Sequence, residues 1–253
     1  MDRVGAFIKK YWITFLIFAG LVALYVFIAN NKLINAFLFP PAGQVAEAFK
    51  EYSQTMVINM FSSFGLLVPA LVIASTIALT VGSILGMNRR AREVLHPVIY
   101  TISVVPSILL SPFALLLAPN FWSASLFLII YQTIWATLFA TITGIQTINK
   151  TYLDNAAALE LRGVKKFFKV ILPAASPSIL SGFVTSLRGS FVMLVYAEMY
   201  GAKYGMGFFV KKYADYGLYP ETWAGFIFLV VVLVIVMQIF EHLKNRALEW
   251  SMD

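Results

Sequence analysis

Between Pro97 and Asn149 the chain carries no Asp, Glu, Lys or Arg. A charge-free stretch of about 50 residues offers water no polar face, and it has the length of two helical crossings of a ~30 Å hydrocarbon layer. Pro119-Asn120 supplies a turn signal where the hairpin between them would fall. Other runs read the same way. Trp12–Ile28 is uncharged for about 17 residues and Val57–Met87 for about 30, the second longer than one straight span needs. Such a helix tilts, kinks near Pro69 or begins along the surface. Two further runs, from Ser176-Pro177 to about Tyr200 and from Thr222 to Phe240, bring the total to six. The reading is an all-α polytopic membrane protein of about six transmembrane helices, with residues 1–253 as a single transmembrane domain. With 60% hydrophobic residues, 12% charged and a mean hydropathy of +0.81, a soluble domain is excluded.

The prolines carry local expectations. Pro106 and Pro112 fall inside the first of the two crossings in Pro97–Asn149, where neighbouring helices would satisfy the carbonyls they free. Ser176 and Pro177 read as the N-cap and first-turn pair of span five. Asn30–Tyr52, with Pro40, Pro41 and a short helical pattern around Val45–Phe49, reads as an external segment. So do the Gly-rich stretch Gly201–Gly207 and the polar Lys211–Glu221.

Charge sets the orientation. Arg3, Lys9, Lys10, Arg89, Arg90, Arg92, Lys150, Arg162, Lys165, Lys166, Lys169, Lys244 and Arg246, thirteen cations, fall on one side, and Lys32, Lys50, Lys203, Lys211 and Lys212 on the other. The richer side is cytoplasmic, which puts both termini in the cytoplasm. Arg3, Lys9 and Lys10 precede the first run as in a signal peptide, yet no small-residue cleavage site follows, so the run is an uncleaved first helix. The net charge of +7 sits at the ends of apolar runs, which points to anionic lipid and not to nucleic acid. Without cysteine the chain holds neither disulfide nor thiolate metal site.

Catalytic chemistry is missing. There is no GxxxxGK[ST], HExxH or GxSxG, and the two histidines, His96 and His242, each flank a span beside basic residues as interfacial side chains do. No catalytic or metal-binding residue is expected.

The exception to the apolar pattern is Thr151–Pro177, a long basic segment on the cytoplasmic side. It reads as two short helices. Asp154 opens the first, Ala156, Ala157, Ala158, Leu159 and Leu161 favour helix, and Gly163 stops it. Lys165–Val170 makes a basic amphipathic turn that Pro173 ends. Too small to bury a core of its own, the loop must lean on a partner or on lipid headgroups.

The run Asp154–Gly182, DNAAALELRGVKKFFKVILPAASPSILSG, resembles the EAA loop of binding-protein-dependent ABC importer permeases: an acid, two alanines, a glycine about four residues later and an apolar-Leu-Pro ending. Counting back from Leu172-Pro173 puts Asp154 at the acid, Asn155 and Ala156 at the alanines and Glu160 at the usual glycine. The actual glycine, Gly163, comes three residues late. Either the turn has moved to Gly163 or a non-glycine residue builds it. Phe39-Pro40-Pro41-Ala42-Gly43-Gln44-Val45 and Ala197-Glu198-Met199-Tyr200-Gly201-Ala202 with Gly205-Met206-Gly207 are similar to the nitrate/sulfonate/taurine-type branch. The resemblance runs from about Phe39 to the C-terminus.

What the resemblance implies is a type I importer permease in the inner membrane of a prokaryote. It pairs with a second, identical permease subunit, sits on two ABC ATPase subunits that hold the ATP and Mg²⁺, and receives substrate from an extracytoplasmic binding protein. ATPase coupling then falls to Asp154, Ala156, Ala157, Glu160, Gly163, Lys165 and Pro173, the small alanines entering a partner cleft and the lysines meeting acids or lipid phosphate. A small anion such as a sulfonate, taurine or nitrate is the substrate this implies. A vitamin or pyrimidine-type substrate of the same branch is the alternative, as is a secondary transporter without an ATPase, although several intramembrane acids or a repeated half would then be expected.

Two side chains belong to the expected translocation path. Arg188 lies mid-span, where an ionised group must face the bundle interior or water. It would attract an anion, or pair with helix carbonyls or Glu198; at this position the branch usually carries a small residue. Glu198, near the outer interface, would gate the path, contact the binding protein or sit at a solvated helix end. Gly82 and Gly86 form a GxxxG suited to close packing in the dimer. Trp12, Trp122, Trp223 and Trp250 fall near span ends as interfacial anchors, with Trp135 the exception.

Overall fold

A computed structural model describes residues 2–31, 35 and 37–251, and side chains from Trp12 to Trp250 within that range. Lys32, counted above on the outer side, lies outside the described residues, as do the side chains of Arg3, Lys9 and Lys10. The described residues form helices α1 (Asp2–Asn30), α2 (Ala42–Met87), α3 (Arg89–Ser103), α4 (Ser111–Leu117), α5 (Phe121–Gln146), α6 (Lys150–Ala158), α7 (Gly163–Lys166), α8 (Leu172–Gly201), α9 (Met206–Asp215) and α10 (Tyr219–Ala247). Five helical stretches are long and apolar enough to cross a membrane: Trp12–Asn30, Ala42–Met87, Phe121–Gln146, Gly163–Gly201 and Tyr219–Ala247. A sixth follows if Arg89–Ser103 and Ser107–Leu117, bent by 79° at a short break, count as one span.

That bend corrects the expectation for Pro106 and Pro112. Neither lies in a helix interior. Pro106 precedes the 3₁₀ turn Ser107–Leu110 and Pro112 occupies the first turn of α4, positions where a missing N–H costs nothing. Pro69 and Pro97, by contrast, are accommodated within α2 and α3. The hairpin at Pro119-Asn120 forms as read, with the Asn120 side chain accepting from Ser123 N–H at 2.9 Å to cap α5. Val45–Phe49 is not a separate short helix; it belongs to the first turns of the 46-residue α2.

The chain divides into two compact units, residues 1–57 with 209–228, and residues 58–208 with 229–253. The first has a core of Val45, Ala48, Met56, Phe209, Tyr213 and Ala224. Trp223 donates to Leu38 O at 2.9 Å, and Tyr25 to Pro40 O at 2.9 Å, which ties the Pro-rich turn to α1 and α10. Burial raises the Tyr213 phenol above its ordinary pKa, with Tyr52, Glu221 and Glu51 adding to the shift.

The second unit is organised by small residues. Gly182 of α8 lies so close to Ala140 and to the carbonyl of Ala136 on α5 that a side chain there has no room. One turn on, Ser186 Oγ accepts from Thr137 N at 3.1 Å and lies 2.9 Å from Thr137 Oγ1. Ser178 Oγ donates to Ala140 O at 2.9 Å, and a Cβ on Gly144 would stand 2.8 Å from Ser178 Cβ. The buried threonines of α5 fall four apart, and Thr133 and Thr141 return their hydroxyls to the carbonyls of Ile129 and Thr137 at 2.6 and 2.7 Å. Lipid supplies no hydrophobic force between helices, so close backbone approach and satisfied hydroxyls hold this pair together.

Gly82 and Gly86 serve the same end, and not as read. A Cβ on Gly82 would meet Thr141 at 2.8 Å and one on Gly86 would meet Ile145 at 2.9 Å, so the GxxxG packs α2 on α5 within one subunit. Below it, Arg92 donates to Leu85 O at 3.0 Å and Gly86 O at 3.1 Å, satisfying carbonyls at the end of α2. With the Gln146 amide turned to present its oxygen, Arg92 Nε reaches α5 at 2.7 Å. This cation of the positive-inside count is therefore also a C-cap.

Gly182→Val should overpack the α5–α8 seam and lower stability by about 1–3 kcal/mol. Thermal melting of the purified chain in detergent checks it, with the exposed Ser181→Val as the control that leaves the melting temperature unchanged.

Candidate functional site

The basic loop begins four residues before Asp154. Asn149 caps α6, its side chain accepting from Thr151 N at 2.9 Å, so Lys150 and not Asp154 opens the helix. Asp154 sits exposed in its middle. At the far end Leu161 N donates to Ala156 O at 2.9 Å and Glu160 N to Ala157 O at 3.0 Å, the paired bonds of a Schellman turn. That motif demands a left-handed residue, and it is Glu160, at φ 52°. The position where the resemblance expects glycine thus keeps the glycine backbone without the glycine. Gly163, at φ 53°, turns the chain a second time and starts α7 where it was expected to stop α6. Both alternatives left open by the sequence hold at once.

Pro173 does not end the second helix. Gly163 to Gly201 forms one helical stretch of 39 residues. A proline has no N–H for the carbonyl four residues back, and its ring collides with that carbonyl. The chain relieves both by widening into a π-turn over Phe167–Ile171, where Leu172 N bonds Phe167 O. Ser176 and Pro177 consequently lie inside α8 and cap nothing.

Of the expected coupling residues, Asp154, Ala157, Glu160, Gly163, Lys165 and Pro173 are exposed on this elbow. Ala156 is 1% exposed and faces inward. A groove of about 180 Å³, lined by Tyr152, Ala156, Leu161, Val170, Pro173 and Trp250 among others, runs between α6 and the π-turn.

Arg188 and Glu198, four and a half turns into α8 and beyond, part company. Arg188 projects from the surface of its unit on the same face as Ser181 and Thr185, all three exposed. Its side chain is 65% exposed, and Nη2 meets Glu241 Oε1 of α10 at 3.2 Å. Glu241 Oε2 is held in turn by Lys244 Nζ at 2.5 Å. The partner is Glu241, not Glu198.

Glu198 is 2% exposed, which removes the reading of a solvated helix end. Its Oε2 accepts from Gly207 N at 2.8 Å, while Asn59 Oδ1 accepts from Gly205 N at 2.7 Å and Ser63 Oγ from Met206 N at 2.9 Å. Three successive N–H groups at the start of α9 are thereby satisfied by side chains of α8 and α2. The carboxylate also sits at the positive end of α9. Gly205, at φ 132°, lies against the Glu198 carboxyl with no space for a Cβ, and a Cβ on Gly207 would stand 2.7 Å from Val195 O. The glutamate and the two glycines of the Ala197–Gly207 pattern are one structural device.

Elsewhere, His96 packs edge-on against Phe139 at 5.8 Å and His242 is exposed. No group of three or more His, Cys, Asp or Glu placed to hold a metal ion occurs among the described residues.

The described residues form a multi-pass helical membrane protein with an exposed elbow continuous with a span, an architecture that suits a membrane permease. Residues 75–248 match the family of binding-protein-dependent transport system inner membrane components, and the chain belongs to that family. It is similar to the putative aliphatic sulfonates transport permease protein SsuC of Bacillus subtilis (strain 168), 24% identical over 92% of this chain and 85% of that protein. It is similar too to the nitrate import permease protein NrtB of Leptolyngbya laminosa, 26% identical over 68% of this chain and 62% of that protein. The bicarbonate transport system permease protein CmpB of Synechococcus elongatus is 28% identical over 64% of this chain and 57% of its own length.

Two outcomes follow from this geometry. Glu198→Ala leaves the Gly207 N–H unpaired at a cost of about 1–3 kcal/mol, so hydrogen exchange at residues 205–208 should quicken by roughly 10- to 100-fold, while Glu198→Gln, which keeps an acceptor, should not change it. Glu160→Gly removes a left-handed strain of about 1–2 kcal/mol, offset in part by glycine's entropy, and should slow proteolytic nicking of the elbow without displacing it.

Proposed function

We propose that the chain is the membrane subunit of an ABC importer for a small monovalent oxyanion. Two copies enclose the translocation path, a partner ATPase carrying ATP and Mg²⁺ grips the α6–α7 elbow, and an extracytoplasmic binding protein delivers the substrate. The observation that carries the reading is the 39-residue helix Gly163–Gly201, which joins the exposed elbow to a membrane span without a break. A push on the elbow reaches the span as a rigid-body tilt and is not absorbed by a hinge, which is what alternating access requires.

The elbow presents what a partner cleft needs. Ala157 is small and exposed, Lys165 offers a cation, and Asp154 and Glu160 offer carboxylates. Ala156 supports it from inside, Gly163 and Glu160 fix its shape, and Pro173, through the π-turn, sets the angle at which it joins α8. The path runs along the α8 face bearing Ser181, Thr185 and Arg188. Arg188 meets Glu241 just past the last apolar run, which sets its guanidinium at the cytoplasmic end of the path, and a side chain 65% exposed there turns its face to water or protein. Glu198 holds the outer end as a latch on α9 and does not touch substrate. The anionic substrate is supported by Arg188 and by the sulfonate, nitrate and bicarbonate relatives. Both termini and the elbow are assigned to the cytoplasm from the charge bias.

The test is co-purification with the partner ATPase. Ala157→Trp should fill the coupling contact and reduce ATPase recovery by at least about tenfold, or roughly 1.4 kcal/mol, with the permease still inserted. Because the chain has no cysteine, Lys165→Cys gives a single label that an impermeant thiol reagent should reach only in inside-out vesicles. Labelling from the outer side, or undiminished ATPase recovery by Ala157→Trp, would sink the reading.

A further inference from the structure

The Arg188–Glu241–Lys244 cluster has more cation than anion. Two positive groups share one carboxylate, each on its own oxygen, Arg188 Nη2 on Oε1 at 3.2 Å and Lys244 Nζ on Oε2 at 2.5 Å. The contacts are unequal. Lys244 makes the shorter one, on the same helix one turn away and with its side chain 20% exposed. Arg188 reaches across from α8, uses one of its five donors on Glu241, and keeps its side chain 65% exposed. A guanidinium binds carboxylates and oxyanions best through a two-pronged fork, and this one is left largely free on the face with Ser181 and Thr185.

We propose that Arg188, Glu241 and Lys244 form an exchangeable counter-ion site. A monovalent oxyanion takes the place of Glu241 Oε1 on Arg188, and Lys244 retains Glu241 meanwhile. The three side chains sum to one positive charge, which one monovalent anion neutralises. In the empty state Glu241 stands in for the substrate, so Arg188 is never without a counter-ion. When the anion leaves, the carboxylate returns and lowers the barrier to release. No side chain need cross the path, since Glu241 stays anchored throughout. The inference rests on the reading of the α8 face as the lining of the path.

Glu241 is thus a competitor for Arg188, and removing it should tighten anion binding. If the free guanidinium is populated about 10% of the time, Glu241→Gln should tighten binding of nitrate and methanesulfonate to the full permease in nanodiscs by about tenfold. Isothermal titration at fixed ionic strength reads it, with glycerol as the neutral control. Arg188→Gln should abolish the binding. Glu241→Asp, too short to reach Arg188 but still beside Lys244, should also tighten it, and serves if Glu241→Gln fails to insert. A merely structural ion pair predicts the opposite: unchanged or weakened binding in both Glu241 variants, which would overturn the exchange. Thr185→Cys tests the underlying reading separately. Modification by a water-soluble thiol reagent in the assembled importer supports a wetted α8 face, whereas complete protection in resting and ATP-driven states would overturn both that reading and this inference.

Discussion

A polar group that enters hydrocarbon is costly unless it finds a partner there, and the helix contacts among the described residues record how most of these groups do so. The buried threonines of α5 bond carbonyls one turn back or the Ser186 hydroxyl. The first N–H groups of α9 take side chains from α2 and α8. The carbonyls at the end of α2 take Arg92. In water each of these could be left to solvent; in lipid each is a fixed contact, and together they decide which helix faces lie against one another.

The prolines obey the same constraint in two ways. Where the chain breaks, as at Pro106 and Pro112, they occupy helix starts whose N–H has no partner anyway. Where a continuous rod is kept, at Pro173, the helix widens to a π-turn and goes on. The second solution has a mechanical consequence. A stop at Pro173 would have uncoupled the elbow from the span, whereas the π-turn keeps them a single body while offsetting the elbow from the helix axis.

Most spans, the hairpin at Asn120 and the position of the polar loop before α8 were legible because charge and length alone decide them. The interior of the loop was less so. Asp154 read as a helix start on its residue type, yet Asn149 was the better placed cap, and nothing local ranks the two before the helix register is known. Gly163 read as a stop because glycine often ends helices; the turn instead drew its left-handed residue from Glu160, a choice visible only by counting back from Leu172-Pro173. Gly82 and Gly86 announced close packing but not its partner, since a small-residue stripe fits a helix of the same subunit as well as one of another. Arg188 was recognisable as a charge needing company, but Glu241 lies 53 residues away in sequence. The burial of Glu198 was not legible because it depends on Gly205–Gly207 folding back over it, an event whose signal was the pair of glycines.

Helix α8 carries two faces with different obligations. Gly182 and Ser186 lock it to α5 at backbone distance, while Ser181 and Thr185, each one position away, and Arg188, two past Ser186, are exposed. Rolling α8 about its axis to redirect Arg188 would drive side chains into Ala136 and Ala140 and break the Ser186 bond. That motion is therefore closed to it. What remains is movement of α5 and α8 as a packed pair, with the polar face carried along and the elbow at the other end of the same rod. On the importer reading, the coordinate along which such a subunit would open and close is set by where glycine lies on α8, and the residues that would meet the transported anion are positioned by those that never touch it.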